Sequence, residues 1–240
     1  YWEVRARLRK GEKEEFGARH THGVFWEKEE AEKALSTASG AARALVASVN
    51  RKQKRERPPA PYSTTAFLQD AVRIGVSAPA AMSIAEYLYT HGYISYPRTD
   101  NTVYPKTLDL KGILKKLLDS PFRDEAQEIL ARGKLRPSRG KRETTDHPPI
   151  HPVAGATRAQ LRGDRWRIYE LVVRRFFATL APPAVVENTE ARIDIGGEVF
   201  VTRGKRFLGR GWTAYYPYHT IKEVFIPRLR EGDVVGVDRI

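Results

Sequence analysis

The chain has 240 residues, is 41% hydrophobic and carries 42 Lys and Arg against 29 Asp and Glu, a formal charge of +13 with a pI near 9.9. That hydrophobic content is enough to bury a core, which excludes a disordered tail, and the basic excess points to a polyanionic partner, nucleic acid first. The absence of cysteine excludes disulfides, thiolate nucleophiles and cysteine zinc sites, and no apolar run reaches membrane-spanning length, so no membrane partner is expected.

The first residues do not read as a signal peptide, and the missing initiator Met points to a start inside a longer protein. Residues 1–9 alternate Trp2, Val4, Ala6 and Leu8 against Glu3, Arg5, Arg7 and Arg9, which predicts a strand, with a second over His22 to Trp26. Glu27 to Asn50 carries Ala31, Leu35, Ala38, Ala42, Leu45 and Val49 at helical spacing and predicts one helix. The charged run Arg51 to Arg57, followed by Pro58-Pro59, reads as a domain boundary. Beyond it the chain turns helical. Ser63-Thr64-Thr65 offers caps for a helix that stops near Gly75, and Ser77 caps a second that ends at His91-Gly92. Two short helices feeding a strand resemble a helix-turn-helix. Further helices are expected over Lys106 to Leu118, Arg123 to Leu130 and Thr157 to Leu180, with a loop over Arg132 to Arg142. From Ala184 strands return: Val185 to Ile195, Glu198 to Arg203, Gly211 to Tyr218 and Asp233 to Ile240, with Gly196-Gly197 as a hairpin turn. The fold class is therefore α+β, a mainly helical domain (56–180) inserted into a β domain (1–55 and 181–240).

Three segments carry chemistry. In Gly92-Tyr93-Ile94-Ser95-Tyr96-Pro97-Arg98-Thr99-Asp100, extended backbone puts Tyr96 and Arg98 on one side, and Pro97 biases the residue before it toward that geometry. A phenol is a poor nucleophile while protonated, so a neighbouring guanidinium both favours phenolate and can grip the phosphate under attack. Taken alone, these residues also fit ordinary strand aromatics beside a surface charge. In Asp146-His147-Pro148-Pro149-Ile150-His151-Pro152, the prolines prevent the two histidines from sharing a helix face as zinc ligands do. A proline-fixed His next to a basic loop can instead bind or protonate a phosphate oxygen, or be a partly buried turn residue. In Pro61 to Gln69, hydroxyls at a helix start suit a phosphate, and capping explains them equally well.

Taken in order, these segments resemble the type IA DNA topoisomerases. The family carries a P-[FY]-[ST]-T-[ST]-x-L-Q type segment, here Pro61 to Gln69. It then has G-x-I-[ST]-Y-x-R-T-[DE], here Gly92 to Asp100, and [AD]-H-x-x-I-x-P, here Asp146 to Pro152. Tyr169 to Ala178 and Gly211 to Tyr218 match as well, and Ser-Tyr-Pro-Arg-Thr looks more like the archaeal topoisomerases and reverse gyrases than the bacterial enzymes. The resemblance implies Tyr96 as the nucleophile that becomes 5′-phosphotyrosyl, Arg98 stabilising the attacked phosphate and His147 contacting a phosphate nearby. Asp100 would handle a proton or position DNA, with Ser63, Thr64 and Gln69 as further DNA contacts. The basic residues Arg132, Lys134, Arg136, Arg139, Lys141 and Arg142 complete the expected DNA surface.

By the same resemblance the two domains form an arch and a gate, the helical gate closing on DNA and swinging away for strand passage. The metal-binding Toprim domain lies outside this chain, so no cofactor is expected here and Mg²⁺ belongs to that domain. The expected partners are single-stranded DNA and the remaining Toprim and C-terminal domains, in a monomer that is cytoplasmic and nucleoid-associated. A tyrosine recombinase or type IB enzyme is disfavoured because none of the six histidines has Arg three residues on. The alternative left is a non-catalytic helix-turn-helix DNA-binding module in which Tyr96 merely packs.

Overall fold

The structure is a computed structural model that describes residues 1–240. It divides into a strand unit (Tyr1–Arg55, Val185–Gly209 and Ile221–Ile240) and a helical unit (Glu56–Ala184 and Arg210–Thr220). Residues 181–184 and 210–220, expected with the strands, thus group with the helices.

The strand unit is a closed six-stranded barrel. Its strands are β1 (Arg5–Lys10), β2 (Glu14–His20), β3 (Arg43–Glu56), β4 (Ala184–Ile195), β5 (Glu198–Gly209) and β6 (Val234–Arg239), in the order β1-β2-β5-β4-β3-β6. Period-2 alternation sends Ala6 and Leu8, Phe16 and Ala18, Ala44 and Val46, and Ala191, Ile193 and Ile195 inward. Helix α1 (Lys28–Ser39) buries Ala31, Ala34 and Ala38 against the same core. Gly196 and Gly197 both have positive φ (64° and 94°), as a two-residue hairpin turn between antiparallel strands requires.

Two expectations differ here. The strand partner of β1 is Glu14–His20 rather than His22–Trp26, because Phe16 and Ala18 supply the inward side chains; of the later segment only Phe25 bridges, to Trp2. The single helix expected over Glu27 to Asn50 ends at Ser39, and β3 begins at Arg43. Alanines fit both periods there, and the pairing of Arg43, Ala44 and Leu45 with β6 selects the strand. The charged run Arg51 to Glu56 is the end of β3, and the division between the two units falls within it, after Arg55.

The helical unit contains α2 (Thr64–Arg73), α3 (Ala78–Thr90), α4 (Leu110–Lys116), α5 (Arg123–Ala131) and α6 (Asp164–Leu180). α6 is the central element: Trp166, Ile168, Tyr169, Leu171, Val172, Val173, Phe176 and Phe177 are all buried. Gly163, at φ 57°, precedes it and delays its start relative to the expected Thr157. Ser63 and Ser77 accept from Ala66 N and Ala80 N, capping α2 and α3 as their sequences predict. Gly211 to Tyr218 is not a strand but a short 3-10 turn over Gly211–Ala214 and further turns, held where the buried Trp212 donates its indole N–H to the Glu56 carbonyl.

Candidate active site

Helix α3 ends at Thr90, and just beyond it Gly92, with a φ of 76°, lets the chain reverse into the tyrosine segment. From there Ser95, Pro97 and Thr99 are buried, Tyr96 is partly buried, and Arg98 and Asp100 are exposed. The side chains alternate as in a strand, although ladder pairing is limited to the Ile94–Pro152 bridge. Tyr96, Arg98 and Asp100 therefore sit on the outer side of an extended segment.

The three motifs meet here. Ser95 N donates to the His151 carbonyl (2.9 Å) and His151 N donates to Ser95 Oγ (3.0 Å). Ile150 N donates to the Tyr62 carbonyl (2.9 Å). Thr64 Oγ1 donates to the Pro97 carbonyl (2.7 Å) and accepts from Thr99 N (2.8 Å). Thr99 Oγ1 donates to the His147 carbonyl (3.1 Å). The buried Asn101 donates to the carbonyls of Thr144 and His147 and accepts from Val103 N. This net leaves the exposed His147 ring 4.6 Å from the Tyr96 ring, tilted by 52°. Tyr89 of α3 stands edge-on to the Tyr96 ring at 5.2 Å.

Arg98 does not extend freely into solvent. Its Nε donates to Glu86 Oε1 at 3.1 Å and its Nη2 makes a shorter bond to the same oxygen. That bond, and the Glu86 charge behind it, raise the guanidinium pKa still further, so Arg98 is a permanent cation. Asp100 pairs with Arg142 at 3.0 Å.

The remaining expected DNA contacts divide by what they already bind. Ser63 caps α2, and the Thr64 hydroxyl is engaged with backbone, as above. Gln69 is exposed on α2, beside Thr65, Leu68, Val72 and Arg73 in an open groove of ≈ 580 Å³. The basic loop is irregular and exposes the side chains of Lys134, Arg136, Arg139, Lys141 and Arg142, whereas Arg132 lies over the Tyr215 ring and donates to its hydroxyl at 2.7 Å. The loop is pinned alongside the tyrosine segment: Gly140 N donates to the Thr102 carbonyl and Thr102 N to the Arg142 carbonyl (both 2.8 Å). Within it Arg132 pairs with Glu128 and Arg139 with Glu143, whereas Lys134, Arg136 and Lys141 have no acidic partner.

Beneath the motifs lies a buried polar cluster. The hydroxyls of Tyr62 and Tyr216 donate to Asp70 Oδ2 (2.9 and 2.5 Å), and Arg175 Nη1 donates to the same oxygen (3.0 Å). The Arg175 guanidinium lies 4.3 Å from the Tyr62 ring centroid. Burial above all pushes both phenols well beyond their ordinary pKa, so they act as neutral donors that satisfy the carboxylate. No sequence motif singles out Asp70, Asn101, Glu86 or Tyr89, and Tyr216 lies in the matching segment Gly211 to Tyr218 without a role assigned to it there. Glu86 and Tyr89 do carry a usable signal: an i, i+3 pair in the last turns before Gly92 shares one helix face. Asn101 carries none. No group of three or more His, Asp or Glu side chains is arranged to hold a metal ion.

Against known proteins, a family model described as DNA topoisomerase matches residues 1–240. DNA topoisomerase 1 of Archaeoglobus fulgidus is 45% identical over 237 residues, covering 99% of this chain and 34% of that protein. DNA topoisomerase 1 of Thermoplasma acidophilum is 46% identical over 194 residues, 80% of this chain and 25% of that protein. Full-length topoisomerase I from Thermotoga maritima has the same fold, with a TM-score of 0.69 at 20% identity over 98% of this chain and 39% of that one. The chain belongs to the DNA topoisomerase family. It spans about a third or less of the length of the two archaeal relatives.

Proposed function

We propose that this chain carries the strand-cutting tyrosine of a type IA topoisomerase and acts on single-stranded DNA. In this reading the Tyr96 oxygen attacks a backbone phosphorus, an O–P bond to tyrosine forms, and the bond to the 3′ oxygen of the neighbouring sugar breaks. The phenol gives up its proton and the leaving 3′ oxygen gains one. Because one phosphodiester replaces another, the reverse attack by the 3′ hydroxyl reseals the strand and frees Tyr96. Arg98 neutralises charge on the phosphate oxygens, a task for which a planar fork of donors is suited. His147, beside the Tyr96 ring, binds or protonates a phosphate oxygen. Lys134, Arg136 and Lys141 attract the backbone on either side. The helical unit (Glu56–Ala184 and Arg210–Thr220) forms the gate and the strand unit the arch, and the metal and the rest of the DNA groove come from elsewhere in the polypeptide.

The observation that carries this reading is the meeting of three segments, remote in sequence, around one partly buried tyrosine with an arginine and a histidine. A non-catalytic binding module has no use for that convergence. The test is Tyr96→Phe in a full-length protein containing this chain, with a labelled single-stranded oligonucleotide. The variant should lose the covalent adduct that survives denaturation, with DNA affinity nearly unchanged, since one hydroxyl is removed and the ring's packing kept. An adduct persisting in Tyr96→Phe would assign the nucleophile elsewhere.

A further inference from the structure

Glu86 and Tyr89 are three residues apart on α3, and the helix is seated by the buried Ala81, Ala85 and Leu88. One rigid face thus sets a ring against Tyr96 and a carboxylate against Arg98. The ion pair has little to do with stability: its side chains are 58% and 46% exposed, and pairs so open to water contribute little to folding. Its geometry is more telling. A guanidinium has five N–H donors, and Glu86 takes only the Nε proton and one on Nη2, both through a single oxygen. Both protons on Nη1 and the second on Nη2 stay free, which is the edge that grips two phosphate oxygens in parallel.

We propose that Glu86 is a positioning residue that holds Arg98 by its Nε–Nη2 edge and so presents the opposite edge to the phosphodiester attacked by Tyr96. The inference rests on the function proposed above. Left alone, the three flexible methylenes of Arg98 sample many rotamers, and a misplacement of about 1 Å near reacting atoms costs on the order of 100-fold in rate. What Glu86 supplies is an acceptor at the right reach, not its charge.

The experiment uses the full-length protein and single-turnover cleavage of a labelled oligonucleotide, with affinity measured separately. Glu86→Ala and Glu86→Asp, which lose the acceptor or shorten its reach, should slow cleavage by about 10- to 100-fold with affinity within a few-fold. Glu86→Gln, which keeps the acceptor oxygen at the same reach, should restore most of the rate. In an Arg98→Ala background, Glu86→Ala should add no further loss. Wild-type cleavage by Glu86→Ala, a rate increase in it, or full additivity with Arg98→Ala would overturn the proposal. Should Glu86→Ala fail to fold, the opposite ranks of Glu86→Asp and Glu86→Gln still decide. Loss of the adduct in Tyr96→Phe with an unaffected Glu86→Ala rejects this inference alone, whereas an adduct that persists in Tyr96→Phe rejects the reading beneath it.

Discussion

Arg98 is where residue chemistry decides most. Lysine in its place offers a point charge that can neither form the two-oxygen grip on phosphate nor make both bonds to Glu86. Arg98→Lys should therefore keep DNA affinity within a few-fold and slow single-turnover cleavage by about 10- to 1,000-fold, with Arg98→Ala slower still. An Arg98→Ala variant cutting at the wild-type rate would remove it from the mechanism. His151, by contrast, acts on stability. It is buried, its Nδ1 hydrogen donates to the Pro149 carbonyl at 2.7 Å, and the Tyr104 ring stands edge-on at 6.1 Å. Burial lowers its pKa below the ordinary value, outweighing that hydrogen bond. A group with a depressed folded pKa stabilises fully above its unfolded value of about 6.5, and that stability is lost as pH falls through the folded value, because the unfolded chain takes the proton first. Urea midpoints measured from about pH 7.5 down to about pH 5 should fall, and His151→Gln should flatten that fall.

Among elements, the basic loop shows how a stretch without regular structure is still held in place. Its anchor is Gly140, where an added Cβ would overlap the Thr102 side chain and lie 3.2 Å from the Ala60 Cβ. Thr102 also holds the loop through the Arg142 backbone. Gly140→Ala should push the loop away from the tyrosine segment and weaken single-stranded DNA binding several-fold without altering any charge. Gly209→Ala, in open space, serves as the control in the same anisotropy titration. Unchanged binding in Gly140→Ala would show that the loop's position is immaterial. Elements also differ in how much of themselves they declare. α2 and α3 carry their own caps, Ser63 and Ser77, so their starts are readable locally. The start of β3 is not, because Ala, Leu and Val spaced through residues 42–49 satisfy a helical stripe as well as an alternating one, and only its neighbour β6 decides between them.

For the molecule as a whole, the charge of +13 is the main source of attraction to a polyanion. The 240-residue chain should bind single-stranded DNA with weak sequence preference and an affinity that drops steeply with salt. Replacing Lys134, Arg136 or Lys141 by Gln should lower the slope of log K against log salt by about 0.7 each, the value per phosphate contact on a single strand. Arg132 and Arg139, already paired with Glu128 and Glu143, should change it less. Binding that is insensitive to salt would exclude the electrostatic footprint altogether.

Local information was sufficient for much of this protein. Composition alone indicated a folded, basic, cysteine-free chain suited to nucleic acid. Capping residues, turn glycines and hydrophobic period located most helices and the β4–β5 hairpin, since these signals act within a few residues of where they are written. The motif around Tyr96 was visible for the same reason: alternation along an extended segment is a property of neighbours. What the tertiary structure alone decided are the relations across distance. The closure of the barrel between β1 and β6, the clamp of Thr64 on Pro97 and Thr99, and the seating of the His147 segment by Asn101 all join residues whose own surroundings in sequence carry no mark of the partner. Such pairings are selected by burial and by the need of each buried polar group for a partner, and these are satisfied only when the whole chain has packed.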